Sequence, residues 1–450
     1  MVEMLDKPVL KETEPYSKKF ERFETESRQP AWLFPLRKAG MARFAELGFP
    51  TIKDEDWRFT NVLPISKLPF RPIFEAQPDG LDAQAIARFT FGKLPGVRLV
   101  FVNGHFMPAL SSVANSGGFI ATSLAQALSQ NPALLEKHLG RYAQGDHNAF
   151  TSLNTAFFQD GAFIHVPAGR KVDETVHLLF VSTAAESGAV AHPRNLVLAE
   201  KDSQLTLIES FVSTVDAAYW TNSVTEIVVG EGARVEHCKF QDESLKAYHI
   251  AAIHAQLGRA SNFISHSIAT GGRLSRNNIR TALNGEGLEC VLNGLYLTHG
   301  DQLADHHMVV EHAQPHCNSH EYYNGILDGK SKGVFHGRIL VRQAAQKTDA
   351  KQTNKNLLLS EDATVDTKPQ LEIYADDVKC THGATIGQLN DESIFYLRSR
   401  GIGMDTARRM LIHAFAGEII ERIRNGPVRE ELDKLVWDRL EQNPHVGEQK

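Results

Sequence analysis

Alternating apolar and polar residues dominate the middle of the chain, from about residue 150 onward. The clearest runs are SQLTLIESF, ARVEHCKFQ, SNFISHSIA, LECVLNGLYL, GVFHGRILV and ATVDTKPQLEIY, at residues 203–211, 233–241, 261–269, 288–297, 333–341 and 363–374. A period of two residues is the signature of β-strands, because successive side chains point to opposite faces. The middle of the chain is therefore predicted to be mainly β.

These strands recur at a roughly constant spacing along the chain. The turn residues that open them are Asp202, Gly232, Gly258, Gly287, Gly333 and Asp362, separated by 30, 26, 29, 46 and 29 residues. A repeat of this length is typical of stacked coils, a solenoid or a propeller. Almost no helix-period segment interrupts the strands, which argues against βαβ units. We predict an elongated parallel β-helix, with a β-sandwich as the alternative that the loose repeat leaves open.

Helix-period patterns flank the predicted β-helix on both sides. They cover residues 30–50, 122–143, 391–423 and 427–442. We therefore divide the chain into an N-terminal helical or α+β region (1–145), a parallel β-helix core (146–390) and a C-terminal helical region (391–450).

The overall composition excludes several classes of partner and location. The formal net charge is −6, whereas a nucleic-acid partner calls for a basic face. No stretch approaches the roughly 18 apolar residues of a membrane span. The first residues carry charges from the start and show no secretory signal. The four cysteines form no CxxC pair. We expect a cytoplasmic protein with reduced thiols that binds neither nucleic acid nor membrane.

Histidines are concentrated in one part of the predicted β-helix. Seven of them lie between residues 299 and 336, interleaved with acidic residues and one cysteine: His299, His306, His307, His312, His316, His320 and His336, with Asp305, Glu311, Cys317 and Glu321. Imidazole, thiolate and carboxylate groups suit iron or zinc. The alternatives are a metal or acid–base site in a β-helix enzyme and a ladder of polar side chains along stacked strands. The spacing matches no zinc module, and no P-loop or HExxH motif is present.

A second candidate site is the segment VKCTHGATIG at residues 378–387. Cys380 and His382 are two residues apart, so on a strand they project from the same face. Two such donors can hold a metal or part of a cluster, but they are too few for a closed site. The remaining ligands must come from elsewhere, for example from another chain. The alternative is a buried cysteine beside a hydrogen-bonded histidine.

An apolar stripe marks the second predicted C-terminal helix. Its members are Met410, Leu411, Ala414, Phe415, Ile419, Ile420 and Ile423. Such a stripe packs against the protein's own β-domain or docks into the groove of a partner.

Several segments are similar to one known family. Residues 378–402 resemble the C-terminal signature of the SufB/SufD scaffold family of iron–sulfur cluster assembly; they read VKCTHGATIGQLNDESIFYLRSRGI. Three further segments are similar to the same family: DEDWRFTNV (54–62), ADHHMVVEHAQPHCNS (304–319) and FHGRILV (335–341). The resemblance covers most of the chain, from about residue 30 to about residue 425. Within the family, the form Cys-Thr-His-Gly-Ala-Thr-Ile-Gly is similar to the SufD branch.

The resemblance implies a right-handed parallel β-helix with helical ends and a non-enzymatic role as a scaffold. It implies pairing with SufB through the β-helix, and docking of the SufC ATPase on the C-terminal helices. A homodimer is an option in the absence of SufB. His382, and with it Cys380, would contribute to a transient iron–sulfur cluster shared with SufB, so no cofactor is expected in the isolated chain. The candidate SufC contacts are Arg398, Arg400, Met410, Leu411, Phe415 and Ile419.

Overall fold

The computed structural model describes residues 9–26, 29–75, 80–92, 94–113, 118–145 and 148–442. Its helices are α1 (Val9–Glu26), α2 (Leu33–Leu47), α3 (Leu63–Ser66), α4 (Ala83–Ala87), α5 (Leu124–Gln130), α6 (Pro132–His138), α7 (Ala149–Phe157), α8 (Asp391–Ser399), α9 (Met404–Ile420) and α10 (Gly426–Gln442). Short 3₁₀ turns lie at Glu55–Trp57 and Pro108–Leu110.

The first strands of the structure are β1 (Arg71–Pro72), β2 (Gly96–Val102), β3 (His105–Phe106), β4 (Ile120–Ser123), β5 (Ala162–Val166), β6 (Lys171–Ser182), β7 (Ala189–Ala191), β8 (Arg194–Ala199), β9 (Gln204–Ser213) and β10 (Trp220–Val229). They continue with β11 (Arg234–Asp242), β12 (Tyr248–Leu257), β13 (Asn262–Ala269), β14 (Leu274–Leu283), β15 (Glu289–Thr298), β16 (Leu303–His312), β17 (Asn318–Leu327), β18 (Lys332–Val341), β19 (Asp349–Leu358), β20 (Thr364–Ile373) and β21 (Lys379–Gly387).

Two sheets run along the core, and from β8 onward the chain passes from one to the other strand by strand. Sheet 1 has the order β20-β18-β16-β14-β12-β10-β8-β5-β4, and sheet 2 has the order β21-β19-β17-β15-β13-β11-β9-β6-β2-β3. Neighbouring strands of these coils are parallel and in register. About eight coils stack in this way, so the predicted parallel β-helix is confirmed. The β-sandwich alternative is wrong, because the sheets of a sandwich are antiparallel.

The register explains the uneven repeat in the sequence. Glu289 pairs with Asn318, and Asn318 pairs with Asp349, so one coil takes about 30 residues. The separation of 46 residues joins Gly287, in the turn before β15 of sheet 2, to Gly333, the second residue of β18 in sheet 1. It therefore corresponds to about one and a half coils. The periodicity missed β17 because polar side chains occupy several of its buried positions.

Buried polar side chains line part of the interior of the β-helix. Glu209 accepts hydrogen bonds from Asn195 (2.8 Å) and Thr225 (2.7 Å), and its second oxygen lies 3.2 Å from Nε2 of His237. Nζ of Lys239 lies 2.8 Å from Nε2 of His249. Burial lowers the pKa of Lys239 to about 8. These groups satisfy one another inside the coil, which is the condition for burying polar atoms at low cost.

The N-terminal helices pack against the first coils. The helix predicted within residues 30–50 is confirmed as α2, which ends before Gly48 at a φ of 62°. Helix α7 lies against α2 at Gly40, where an added Cβ would lie 2.8 Å from the carbonyl oxygen of Ser152. Strands β2 and β4 extend the two sheets. The N-terminal region is thus continuous with the β-helix, and its helices run on past residue 145.

The C-terminal helices begin at Asp391 and cover the outer face of sheet 2. The buried stripe of α10 is Val428, Leu432, Val436 and Leu440, and it shares one core cluster with residues of α9 and sheet 2. By contrast, Ile394 is the one buried residue of α8. Among the described residues, no helix combines the length and the apolarity that crossing a membrane requires.

Candidate functional site at the open end of the β-helix

Strands β20 and β21 form the last coil, and each is the edge strand of its sheet. Along β21 every residue is exposed except the half-buried Cys380. In the coil below, Ala350, Gln352, Asn354 and Asn356 of β19 are buried. The difference arises because no further strand of the described chain stacks on the last coil. An uncovered parallel edge of this length is a template for pairing with another chain.

The register decides where Cys380 and His382 point. Cys380 pairs with Ala350, and His382 pairs with Gln352. Ala350 and Gln352 are 0% and 1% exposed, so they face the interior of the coil. Cys380 and His382 consequently share one face of β21, and it is the inward face of the last coil. His382 is exposed there, while Cys380 packs against the apolar cluster that contains Ala350.

The environment of Cys380 favours a protonated thiol. Burial raises its pKa, and the carboxylate of Asp349 raises it further. Metal binding requires the thiolate, so a metal at Cys380 must displace this proton.

Two buried polar side chains lie under His382. Nε2 of Gln352 donates to Oε2 of Glu321 at 2.5 Å, and Glu321 pairs with Gln352 in the register. Burial raises the pKa of Glu321 to about 7. Within the described part of the chain, Oε1 of Gln352 and Oε1 of Glu321 have no hydrogen-bond partner. Glu321 stands among the histidines in the sequence, whereas nothing in the local pattern links Gln352 to residue 382.

Large apolar side chains are exposed near this end of the molecule. Six of the ten exposed large hydrophobic residues among those described lie in β20, β21, α8 or α9 or directly after β20: Ile373, Tyr374, Ile386, Phe395, Tyr396 and Met410. Phe395 is 75% exposed and Tyr396 is 56% exposed. Exposed aromatic side chains in such number mark an interaction surface. The helical stripe predicted from the sequence included only Met410 of these six.

The predicted SufC contacts divide into an exposed and a covered group. Arg398 and Arg400 are exposed, and the guanidinium of Arg400 lies 5.2 Å from the centre of the Tyr396 ring. Met410 is 38% exposed, whereas Ile419 is 2% exposed. Leu411 and Phe415 are half-buried.

Helix α9 is held on sheet 2 by polar contacts as well as by its apolar face. Asn324 donates to the carbonyl oxygen of Phe415 at 3.0 Å, and Lys355 forms an ion pair with Glu418 at 2.8 Å. The covered half of the predicted stripe is therefore packed against the protein's own β-helix. A partner contact at Ile419 would require α9 to leave this surface.

The histidines between residues 299 and 336 do not converge on one site. His306 and His312 face the interior, where burial lowers their pKa values to about 3 and about 4. His307 and His336 lie on the outer face of sheet 1, next to each other in the register. Asp56 from the N-terminal region joins these two, with ligand atoms within 4.8 Å of one another.

The surroundings of this Asp56–His307–His336 group are positively charged. Nη2 of Arg276 lies 3.1 Å from Nδ1 of His307. Burial lowers the pKa of His307, and the charges of Arg276, Arg338 and Lys368 lower it further. The same charges oppose a bound cation.

Two family models together match most of the chain. The family model for the SufBD core domain of the SUF system for FeS cluster assembly matches residues 180–415, and the model for the SufBD N-terminal region matches residues 11–178. An iron–sulfur cluster assembly SufBD family protein of Synechocystis is 35% identical over 89% of this chain and 89% of its own length.

Two proteins named SufD are also similar over nearly their whole length. The Escherichia coli protein is 34% identical over 90% of this chain and 93% of its own length. The Bacillus subtilis protein is 25% identical over 92% of this chain and 95% of its own length. The chain therefore belongs to the SufBD family of iron–sulfur cluster assembly proteins.

Proposed function

We propose that this chain is a non-enzymatic scaffold subunit for iron–sulfur cluster assembly, which pairs end to end with a SufB subunit through β20 and β21. The observation that carries the proposal is the open last coil, with His382 and Cys380 on its inward face. A second β-helix docked on this edge would cover the exposed strands and supply the ligands that two residues cannot provide. Iron and sulfide are then the cargo of the interface, and a cluster with few ligands from two chains is suited to transfer.

We propose further that the C-terminal helices carry the SufC ATPase. Helix α8 supports this because it exposes Phe395, Tyr396 and Arg398 and buries little of its own surface. Helix α9 is anchored on sheet 2, so a force applied to the helices is transmitted to the coils beside the open end. ATP-driven association of two SufC subunits would shift the interface and give iron and sulfide access to it.

The ligand role is tested by replacing His382 with alanine in a complex co-expressed with SufB and SufC. The variant chain should fold normally, because His382 is exposed, and iron is therefore scored per recovered complex. Bound iron and acid-labile sulfide should fall by a factor of ten or more, on the order of the effect of deleting a metal partner. Thr381→Ala is the matched control, since Thr381 is exposed on the opposite face of the same strand. Wild-type iron content in the His382→Ala complex would refute the ligand role.

Docking of SufC is tested separately with the double variant Phe395→Ala, Tyr396→Ala. Truncating two aromatic contacts should weaken SufC binding by about 30-fold for one hot spot of about 2 kcal/mol and by up to about 10³-fold if both residues are hot spots. Thermal unfolding should not change, because both side chains are exposed. Ile52→Ala removes a similarly exposed side chain far along the sequence and serves as the control in titration calorimetry. Equal SufC affinity in both variants would locate the docking surface elsewhere.

A second function remains as an alternative because of the Asp56–His307–His336 group, namely a β-helix metalloenzyme using the histidines between His299 and His336. Under the scaffold proposal, the purified chain should contain far less than one zinc or iron per molecule. Elemental analysis of the wild type and of His307→Ala distinguishes the two functions. A stoichiometric metal that disappears in His307→Ala would favour the enzyme.

A further inference from the structure

Glu321, Gln352 and His382 form one column across the last three coils of sheet 2. They are consecutive partners in the register of β17, β19 and β21. Parallel strands lie about 4.8 Å apart, so each side chain stands directly above the one before it. Gln352 is therefore the side chain beneath His382, with Glu321 one coil deeper.

The hydrogen bond to Glu321 determines how the amide of Gln352 is oriented. The amide nitrogen of Gln352 faces Glu321 and donates to Oε2 at 2.5 Å, because a carboxyl oxygen that carries no proton can only accept. The amide oxygen is then directed away from Glu321, and it has no partner among the described residues. Because Gln352 is 1% exposed, water does not readily satisfy this oxygen.

The facing strand of sheet 1 leaves room for this pair. Gly337 lies across the interior, and a Cβ added there would lie 2.1 Å from Nε2 of Gln352 and 2.9 Å from Oε2 of Glu321. Any other residue at position 337 would displace both side chains. The absence of a side chain at this position thus preserves the Gln352–Glu321 contact.

Glu321 accepts fewer hydrogen bonds than the other buried glutamates of the described chain. Glu209, Glu226 and Glu243 each accept from at least two different residues. Glu321 accepts from Gln352 alone, and its Oε1 is unpaired. A buried carboxylate in this state destabilises the fold, so packing does not account for it.

We infer that Gln352, oriented by Glu321, is a positioning residue for His382 in cluster assembly. The free amide oxygen accepts the N–H of the imidazole nitrogen that does not bind metal, which selects the tautomer and increases the basicity of the ligating nitrogen. Gln352 acts through His382 and does not itself bind iron. This inference rests on the proposed function, because it assigns a support to the ligand proposed there.

The test uses three variants of the full chain in the complex with SufB and SufC. Gln352→Met keeps a side chain of similar size without the amide, and bound iron should fall about tenfold. Glu321→Gln places a donor as well as an acceptor beside Gln352, so it no longer fixes which end of the amide faces His382. Iron should fall by a smaller factor although the chain itself becomes more stable. The third variant is the exchange Glu321→Gln with Gln352→Glu. It restores one amide–carboxylate contact and places a carboxylate acceptor beneath His382, so iron should return to within about twofold of the wild-type content.

The outcomes separate the two proposals. Loss of iron in His382→Ala with full retention in Gln352→Met and Glu321→Gln would overturn the positioning role and leave the ligand role intact. Retention of iron in His382→Ala would overturn the ligand role itself. A merely structural role predicts that iron follows thermal stability, so lower iron in the more stable Glu321→Gln chain supports positioning. If Gln352→Met does not fold, Glu321→Gln and the exchange variant decide the question, and failure of the exchange to restore iron counts against it.

Discussion

Replacing Glu226 by alanine should lower the free energy of unfolding by about 3–5 kcal/mol, the usual cost of removing one partner from a buried ion pair. Glu226 is 0% exposed, and Oε1 accepts from Nε and Nη2 of Arg194 at 3.0 and 2.5 Å. Arg194 is 1% exposed, so the alanine variant leaves its charge buried without a counter-charge.

The same carboxylate also ties the N-terminal region to the β-helix. It accepts the backbone N–H groups of Gly140 (2.9 Å), Tyr142 (2.8 Å) and Ala143 (3.2 Å). These donors lose their partner in Glu226→Ala, which adds to the cost. Denaturant unfolding measures the effect, with Asp216→Ala as the control, because Asp216 forms an exposed ion pair with Lys246. If both variants unfold at the same denaturant concentration, Glu226 is not the link between the two regions.

Replacing Glu321 by glutamine should stabilise the protein, and the gain should depend on pH. Burial raises the pKa of Glu321 to about 7 from the ordinary value of 4.5. Between these two values the folded chain retains a proton that the unfolded chain has lost, so the stability contribution of Glu321 falls as the pH rises. The deficit is complete above pH 7 and amounts to about 3 kcal/mol. Glutamine carries no charge and avoids it.

Denaturant unfolding of wild type and Glu321→Gln at pH 5 and pH 8 tests this expectation. The two proteins should differ little at pH 5, and the variant should be the more stable by up to about 3 kcal/mol at pH 8. Glu209→Gln is the opposite control. Burial raises the pKa of Glu209, but the hydrogen bond and charge of His237 outweigh it and the pKa is lowered, so this variant should lose stability at pH 8. A gain for Glu321→Gln that is equal at both pH values would disprove the assignment.

Alternation identified several strands of the core but missed β10, which is buried on both faces. All but one residue of β10 is buried, because sheet 1 is covered outside by the N-terminal region and inside by the coil. Such a strand shows no period of two, as is usual in covered parallel sheets. The exposure of the last coil could not be predicted from the sequence either. Strand β21 has an ordinary strand sequence, and only the end of the stack makes it exposed.

The sequence by itself determined the coil repeat, the helix before Gly48, the start of the C-terminal helices at Asp391 and the common face of Cys380 and His382. Each of these follows from local periodicity or from a turn residue, and such signals act over a few residues. The tertiary structure alone decided that Gln352 and Glu321 stack beneath His382, and that Asp56 meets His307 and His336. It also decided that Ile419 is covered while Phe395 is exposed. These relations depend on the strand register and on which coil is the last one. Local sequence patterns cover only a few residues, so they show neither the register nor the end of the stack.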